Sequence, residues 1–309
     1  MMVDAETIEN SGFIFDVDKI RNFEVRSDDI FVLTYAKSGT TWMKEVVPLV
    51  MNGGDIDAIN KVPPDVRAPS IEFVVSPKQP SMSEVAIHLG VPEGFDLDTQ
   101  PSPRIIVSHL RPEFLPTQIE EKKPKVIYVA RNPKDVAVST FYYAQKRLPL
   151  ISKKVYDGFS DFLPDFMNAS NGTQAIIYDG STWPKHVLTW WNKRHEPNVF
   201  FVTFEEMKRD LAGSVSRLAK FLEKELDEDT VKKIADHCSF ESMKKNPAAR
   251  KNDYCVNVLK VDPAEASPFV RKGKVGGWKA VFSVADNEKF DQGYTDWLKG
   301  SDFHAEFEI

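Results

Sequence analysis

The sequence predicts a single α/β domain with a central, mostly parallel β-sheet flanked by helices. Runs of β-branched and aromatic residues predict four strands, at residues 30–35, 104–108, 125–130 and 198–204. These strands are continuously apolar, which suits a parallel sheet covered on both faces. Because segments with a helical period lie between them, we expect a doubly wound fold with right-handed crossovers.

The helices follow from apolar residues that recur with the period of a helix. Seven such segments lie at residues 40–51, 134–146, 159–168, 181–195, 211–224, 229–237 and 286–298. Residues 61–103 and 247–278 are predicted to be irregular, because prolines, glycines and abrupt changes in composition interrupt any period. Long loops in a compact domain are commonly functional lids. We therefore expect one domain over residues 1–309 rather than two domains joined by a linker.

Composition argues against a membrane protein and a nucleic-acid-binding protein. No apolar stretch approaches the ~20 residues that span a bilayer, and the net charge is −6. The first ten residues lack the basic start and apolar core of a secretory signal. Cys238 and Cys255 are more simply two reduced thiols than a disulfide. We therefore expect a cytoplasmic protein whose partner is a small molecule.

The stretch TYAKSGTTWMKEV, which begins at Thr34, predicts an anion-binding loop between a strand and a helix. The first N–H groups of a helix lack intrahelical partners, and the helix dipole adds a field that favours negative charge. The lysine adds a mobile positive charge, although it precedes the glycine and so departs from the Walker order. A loop without chemistry is the less favoured interpretation. The polar residues of the loop are Lys37, Ser38, Gly39, Thr40 and Thr41.

Two other segments predict contacts with anionic groups. Arg131 directly follows the third strand, where open α/β sheets bind ligands, and Ser139 lies about one turn into the next helix. Residues 244–279 hold nine basic and three acidic residues, among them the run Arg271, Lys272 and Gly273. A solvated basic surface is the alternative interpretation of this run. Three separate anion-binding segments indicate a ligand that carries phosphate groups at more than one position.

His109 is the candidate general base. It directly follows the second strand, at the same sheet edge as Lys37 and Arg131, and histidine accepts protons near neutral pH. We interpret the other five histidines as structural or surface residues: His88, His186, His195, His237 and His304. No residues have the spacing of metal ligands, so we expect no metal.

Five motifs, in this order, resemble the cytosolic sulfotransferase family: YAKSGTTW, VSHLRP, YVARNPKDVAVS, SFESMKKNP and FVRKGKVGGWK. The resemblance extends from about residue 20 to residue 309. It implies a transferase of the EC 2.8.2 type that moves a sulfuryl group from 3′-phosphoadenosine-5′-phosphosulfate (PAPS) to a hydroxyl or amine of a small, apolar or phenolic acceptor. It further implies a P-loop-like 5′-phosphosulfate loop, substrate-side loops in residues 61–103 and a donor-binding lid in residues 247–278.

The resemblance also implies roles for single residues. The reaction would use His109 as the base, Lys37 to stabilise the leaving group, and Ser139. Tyr143 would line the acceptor pocket, with a core aromatic residue as the equal alternative. The donor would contact Lys37, Ser38, Gly39, Thr40, Thr41, Trp42, Arg131, Ser139, Phe204, Cys238, Phe240, Arg271, Lys272 and Gly273. A family dimer motif is matched at residues 279–288, from Lys279 to Glu288, with Ser283 for threonine, so a homodimer is expected.

The chain also departs from the family pattern at four positions of the donor and catalytic motifs. Ala36 replaces a proline before the loop lysine, and Val107 replaces a lysine two residues before the histidine. Phe204 replaces a tyrosine and Cys238 a threonine at the adenine contacts. Val107 and the changed adenine contacts leave open a nucleotide-binding protein of this fold with weak or no transfer activity. A metal-dependent small-molecule kinase is a second alternative, and the missing Walker order counts against it.

Overall fold

The computed structural model describes residues 16–75, 87, 89–151, 155–170, 180–260, 262 and 269–309. Its central sheet has four parallel strands in the order β2-β1-β3-β4. The strands are β1 Ile30–Thr34, β2 Ile105–Ser108, β3 Lys125–Ala130 and β4 Val199–Thr203. All four strands and the parallel sheet were predicted, so the fold class is confirmed. His88 and parts of both segments predicted to be irregular lie outside the described residues.

The α-helices with described bounds are numbered α1 to α15 in chain order. They are α1 Val17–Arg21, α2 Thr40–Met51, α3 Ile56–Asn60, α4 Pro64–Arg67, α5 Ile71–Val74, α6 Ile119–Lys122, α7 Pro133–Ile151, α8 Phe159–Asn168, α9 Trp183–Asn192, α10 Phe204–Arg209, α11 Leu211–Phe221, α12 Glu228–His237, α13 Phe240–Lys245, α14 Asn252–Asn257 and α15 Val284–Trp297. Two 3₁₀ turns add Pro112–Phe114 and Gly277–Ala280. All seven predicted helices are present with small shifts at their ends.

The prediction of irregular structure was partly wrong. Helices α4 and α5 lie in the first such segment, and α14 and the start of a 3₁₀ turn lie in the second. These elements have four to six residues, which is too short for a helical period to appear in the sequence. The fourth strand also ends one residue early, because Thr203 and Glu206 form a capping box that starts α10 at Phe204.

The sheet is buried on both faces, as its continuous apolarity predicts. Phe31, Leu33 and Tyr128 belong to a core cluster on one face, whereas Val32 and Ile127 belong to a second cluster on the other. Alternate strand residues point to opposite faces, so both layers of helices need apolar side chains from every strand. No helix in the described part of the chain is long and apolar enough to cross a membrane.

The fold brings the predicted polar residues to one edge of the sheet. The registers Leu33↔Ser108, Leu33↔Tyr128 and Ala130↔Thr203 align the carboxyl ends of the strands. Tyr35, His109, Arg131 and Phe204 are therefore the next residues at neighbouring strand ends. Parallel sheets of this kind bind ligands in the crevice beyond these ends.

Candidate active site

A single cleft at this sheet edge brings together most of the predicted site residues. Fourteen of them line it: Lys37, Gly39, Thr40, Thr41, Trp42, His109, Arg131, Ser139, Tyr143, Phe204, Phe240, Arg271, Lys272 and Gly273. Ser38 and Cys238 are buried next to the cleft and do not line it. These residues come from distant parts of the chain, and the fold brings them together at one cleft.

The loop before α2 has the backbone geometry of an anion-binding turn. Gly39 is the N-cap of α2 and adopts φ 125°, a conformation that strains other residues, and Lys37 adopts φ 69°. The hydroxyl of Ser38 is buried and has no hydrogen-bond partner among the described residues. A buried hydroxyl without a partner is costly, so an anion that accepts its hydrogen would stabilise the loop.

Arg131 joins this loop to the lid. Its guanidinium donates to the carbonyl of Lys37 at 3.3 Å and to the carbonyl of Lys274 at 3.2 Å. It also lies 4.3 Å from the centre of the Phe204 ring. Its Nε atom is buried without a hydrogen-bond partner among the described residues. Burial lowers the pKa of Arg131, while the nearby carboxylates of Asp135 and Glu205 oppose this shift.

The last part of the segment predicted to be a lid, residues 269–278, is anchored by Asp135. Its carboxylate accepts from the backbone N–H groups of Gly276 and Trp278, both at 2.9 Å. Gly273 adopts φ 56°, and a Cβ atom there would overlap the ring of Phe240. The lid backbone can lie this close to the ring only because the residue is glycine. Asp135 was not predicted as a site residue, since a helix-start aspartate is common at an N-terminus.

An aromatic slot lies beside the loop. The Trp42 indole packs edge-on against Phe204, with ring centres 5.1 Å apart, and Phe240 lines the same cleft. Trp42 Nε1 donates to the carbonyl of Cys238 at 2.8 Å, so this cysteine orients the indole through its backbone. Burial raises the pKa of the Cys238 thiol, which keeps the sulfur protonated. A flat aromatic ring is the ligand group that such a slot accommodates.

His109 is held in one tautomer. Its Nδ1 lies 3.0 Å from the carbonyl of Thr34, and a carbonyl can only accept, so Nδ1 carries the hydrogen. The lone pair is therefore on Nε2, the position required of a base. The Thr34 hydroxyl also contacts Nδ1 at 3.0 Å and the Thr40 hydroxyl at 2.7 Å, which links the base to the anion loop.

Two further residues fix the backbone of His109. Glu72 accepts from its N–H at 2.6 Å and from the Ser108 hydroxyl at 2.8 Å. His186 Nε2 donates to its carbonyl at 3.1 Å, so the Nδ1 of His186 accepts from the Tyr128 hydroxyl at 2.7 Å. His186 thus has the structural position expected of it, next to the candidate base. Neither contact has a signal in the sequence.

Burial shifts the pKa of both candidate catalytic groups. It lowers the pKa of His109 from 6.5 to about 4, with Lys44, His186 and Lys251 also lowering it and the Thr34 hydrogen bond opposing them. Burial likewise lowers the pKa of Lys37 from 10.5 to about 7, and the nearby cations Lys251, Arg131 and Arg271 add to the effect. The imidazole is therefore neutral near pH 7, which a base must be.

The other end of the cleft, called the acceptor end after the role predicted for Tyr143, is aromatic and cationic. Its rings include Tyr143, whose hydroxyl lies 3.3 Å from that of Tyr254. The ammonium group of Lys37 lies over the rings of Tyr143 and Phe269, at 4.4 Å and 4.8 Å from their centres. Other cleft-lining residues at this end were not predicted: Lys44, Ser70, Phe73, Leu89, Lys251, Tyr254 and Phe269. Val107 is buried in the core and does not line the cleft.

The comparisons with known proteins agree with this site. A family model described as the sulfotransferase domain matches residues 27–302. Human sulfotransferase 1E1 is 38% identical over 292 residues, covering 94% of this chain and 91% of the relative. Mouse sulfotransferase 1 family member D1 is 34% identical over 295 residues, covering 94% of this chain and 90% of the relative.

Solved structures give the same result. Retinol dehydratase in a complex with retinol and PAP has a TM-score of 0.76 and 29% identity, covering 93% of this chain and 86% of that chain. Mouse sulfotransferase SULT7A1 complexed with PAP has a TM-score of 0.68 and 29% identity, covering 95% and 90%. In the described residues no group of His, Cys, Asp or Glu side chains could hold a metal ion. This chain belongs to the sulfotransferase family, whose members transfer a sulfuryl group from PAPS.

Proposed function

We propose that this protein transfers a sulfuryl group from PAPS to the hydroxyl of a small, phenolic or otherwise apolar acceptor, with His109 as the base. The observation that carries the proposal is the geometry of His109: its Nδ1 hydrogen is committed to the Thr34 carbonyl, and its ring lines the cleft beside the anion loop. The aromatic acceptor end supports a planar acceptor.

The donor residues fit a molecule with two separate phosphate positions. The loop at Ser38 and Gly39 would take the 5′-phosphosulfate, since it offers helix N–H groups and a buried hydroxyl. Arg131, Ser139 and the lid residues Arg271, Lys272 and Gly273 would take the 3′-phosphate. The slot at Trp42, Phe204 and Phe240 would take the adenine. PAPS supplies the activated sulfuryl group, and the protein residues supply position and charge.

The proposed reaction is an in-line displacement at sulfur. His109 Nε2 takes the proton of the acceptor hydroxyl as its oxygen forms the new bond to sulfur. The bond from sulfur to the phosphate oxygen breaks, and the Lys37 ammonium neutralises the charge that develops on that oxygen. Ser139, on the first turns of α7, is proposed to help position the donor. An anion near the imidazole favours the imidazolium, which offsets the low pKa of His109.

Turnover and donor binding of two variants test this proposal. We expect His109→Ala to lower kcat by about 100-fold or more, the range for loss of a general base, with near-normal affinity for PAP. Lys37→Ala should lower kcat and also weaken PAP binding. Sulfated product is measured from radiolabelled PAPS with a panel of phenols, catechols, sterols and alkyl alcohols. Full activity of His109→Ala at neutral pH removes this residue from the base role.

We also propose a cytoplasmic homodimer of single-domain subunits spanning residues 1–309, with donor-side lid 247–278 and acceptor-side loops 61–103. The dimer would form through residues 279–288. The support is the match of residues 279–288 to the family's dimer motif. Val284, at the start of α15 immediately after the N-cap Ser283, is 77% exposed and so is open to contact with a second copy of the segment.

A further inference from the structure

Two lysines at the acceptor end share one carboxylate. Lys44 Nζ lies 2.5 Å from Asp65 Oδ1, and Lys251 Nζ lies 3.0 Å from Asp65 Oδ2. Lys44 projects from α2, Asp65 from α4 and Lys251 from the turn before α14, so three distant parts of the chain meet here. Burying charged groups costs free energy unless opposite charges balance them. Here one carboxylate balances only one of the two ammonium groups.

The cations face the cleft and the carboxylates lie behind them. Lys44 and Lys251 line the cleft, whereas Asp65 and the neighbouring Glu72 do not. Glu72 is within electrostatic reach of Lys44, but its carboxyl accepts from His109 and Ser108, and burial raises its pKa. It is therefore a weaker counterion than Asp65. A molecule in the cleft meets a surplus of positive charge.

Lys251 has a strained backbone conformation. This residue adopts a left-handed conformation with φ 53° and ψ 47°, which is uncommon for lysine. The strain is offset by its ion pair with Asp65, and its ammonium group lies 5.0 Å from the centre of the Phe269 ring. The Lys37 ammonium group also lies over this ring, 4.8 Å from its centre. Lys251 is thus fixed beside the point of transfer, over an aromatic wall.

We propose that the acceptor of this enzyme carries an anionic group, such as a carboxylate, which binds to Lys251 and Lys44 while its hydroxyl lies at His109. This inference rests on the proposed function and narrows its acceptor to aromatic acids. An anionic group supplies the missing counterion, so binding should pair the second ammonium group that Asp65 leaves unbalanced. The burial that lowers the pKa of Lys44 to about 8 would then be opposed by a new ion pair.

Matched acceptors test the charge alone. 4-Hydroxyphenylacetate and its methyl ester present the same phenol and differ in the negative charge. We expect kcat/KM of the wild-type enzyme to favour the acid by about 10- to 100-fold, the range for a hydrogen bond to a charged group. Calorimetric titration of both compounds into the PAP-loaded protein gives a second readout that needs no turnover, and the acid should bind more tightly by a similar factor.

Three variants locate the effect. Lys251→Met should bring the acid-to-ester ratio close to one, and Lys251→Arg should keep most of the preference. Lys245→Met changes an exposed lysine at the end of α13 and should leave the ratio unchanged. Equal kcat/KM or equal affinity for acid and ester in the wild type overturns the inference, while sulfation of the ester alone leaves the proposed function intact. Equal losses for acid and ester in Lys251→Met also overturn it, because the lysine would then act on the sulfuryl group.

Discussion

The low pKa of Lys37 predicts that donor affinity depends on pH. Burial and three neighbouring cations lower this pKa from 10.5 to about 7 in the ligand-free protein. PAP carries phosphate groups, and it should bind the ammonium form of Lys37 more tightly than the neutral amine. As pH rises through about 7, the ligand-free protein loses this proton, so binding must recover it from solution. Affinity for PAP should therefore fall as pH rises.

The size of the effect follows from linkage. Well above the pKa, the apparent dissociation constant of PAP should rise about tenfold per pH unit, equal to about 1.4 kcal/mol per unit. The range from about pH 7.5 to about pH 9 isolates Lys37 from the ligand, because phosphate monoesters have a second pKa of about 6. Calorimetry or quenching of tryptophan fluorescence at fixed ionic strength measures the constant across this range.

Lys37→Arg is the matched control, since a guanidinium stays protonated throughout the range. Its PAP affinity should depend on pH much less steeply than that of the wild type. Lys44, whose pKa is lowered to about 8, titrates in both proteins, so the difference between their slopes reports Lys37. A flat profile in the wild type refutes the reasoning, and so does an equal slope in Lys37→Arg.

Three further predictions concern the lid and the subunit interface. Gly273→Ala should weaken PAP binding by about tenfold or more, because positive φ costs about 1–3 kcal/mol and the added Cβ meets Phe240; Gly300→Ala, at φ 83° in open space, carries the backbone cost alone and should leave PAP affinity unchanged. Asp135→Ala should lower the free energy of unfolding in urea by about 1–3 kcal/mol and weaken PAP binding, since two partly buried N–H groups lose their acceptor; unchanged PAP affinity would contradict the anchoring of the lid. Val284→Glu should shift the protein to monomers in sedimentation experiments with little change in PAP affinity, and an unaltered dimer would exclude this contact.

The fold and the donor side of the cleft could be predicted because their signals are local. A buried strand followed within three residues by Lys37, His109 or Arg131 is visible in a few consecutive residues, and parallel strands bring such residues to one edge. The sequence could not tell which side chains of a motif face the cleft. Ser38 and Cys238 are buried and do not line the cleft, whereas their neighbours in the same motifs do.

The acceptor end could not be predicted for a different reason. Lys44, Asp65 and Lys251 form one cluster, but 21 residues separate the first two and 186 separate the last two. Each residue alone has the pattern of an ordinary helical or loop residue. Asp65 and Lys251 lie in the two segments predicted to be irregular, where no helical period indicates which way a side chain points. Only the folded chain brings their charges together.

Lys37 connects the two ends of the cleft. Its carbonyl accepts from Arg131 at the donor end, while its ammonium group lies over the Tyr143 and Phe269 rings of the acceptor end. A phosphate oxygen is a stronger partner for an ammonium group than an aromatic face, whose attraction is about 0.5–2 kcal/mol. In the ligand-free protein the charge of Lys251 lowers the pKa of Lys37. Donor binding should therefore move the Lys37 ammonium group off the rings and away from Lys251. The rings and Lys251 then become available to the acceptor, so an enzyme built in this way favours binding of the donor before the acceptor.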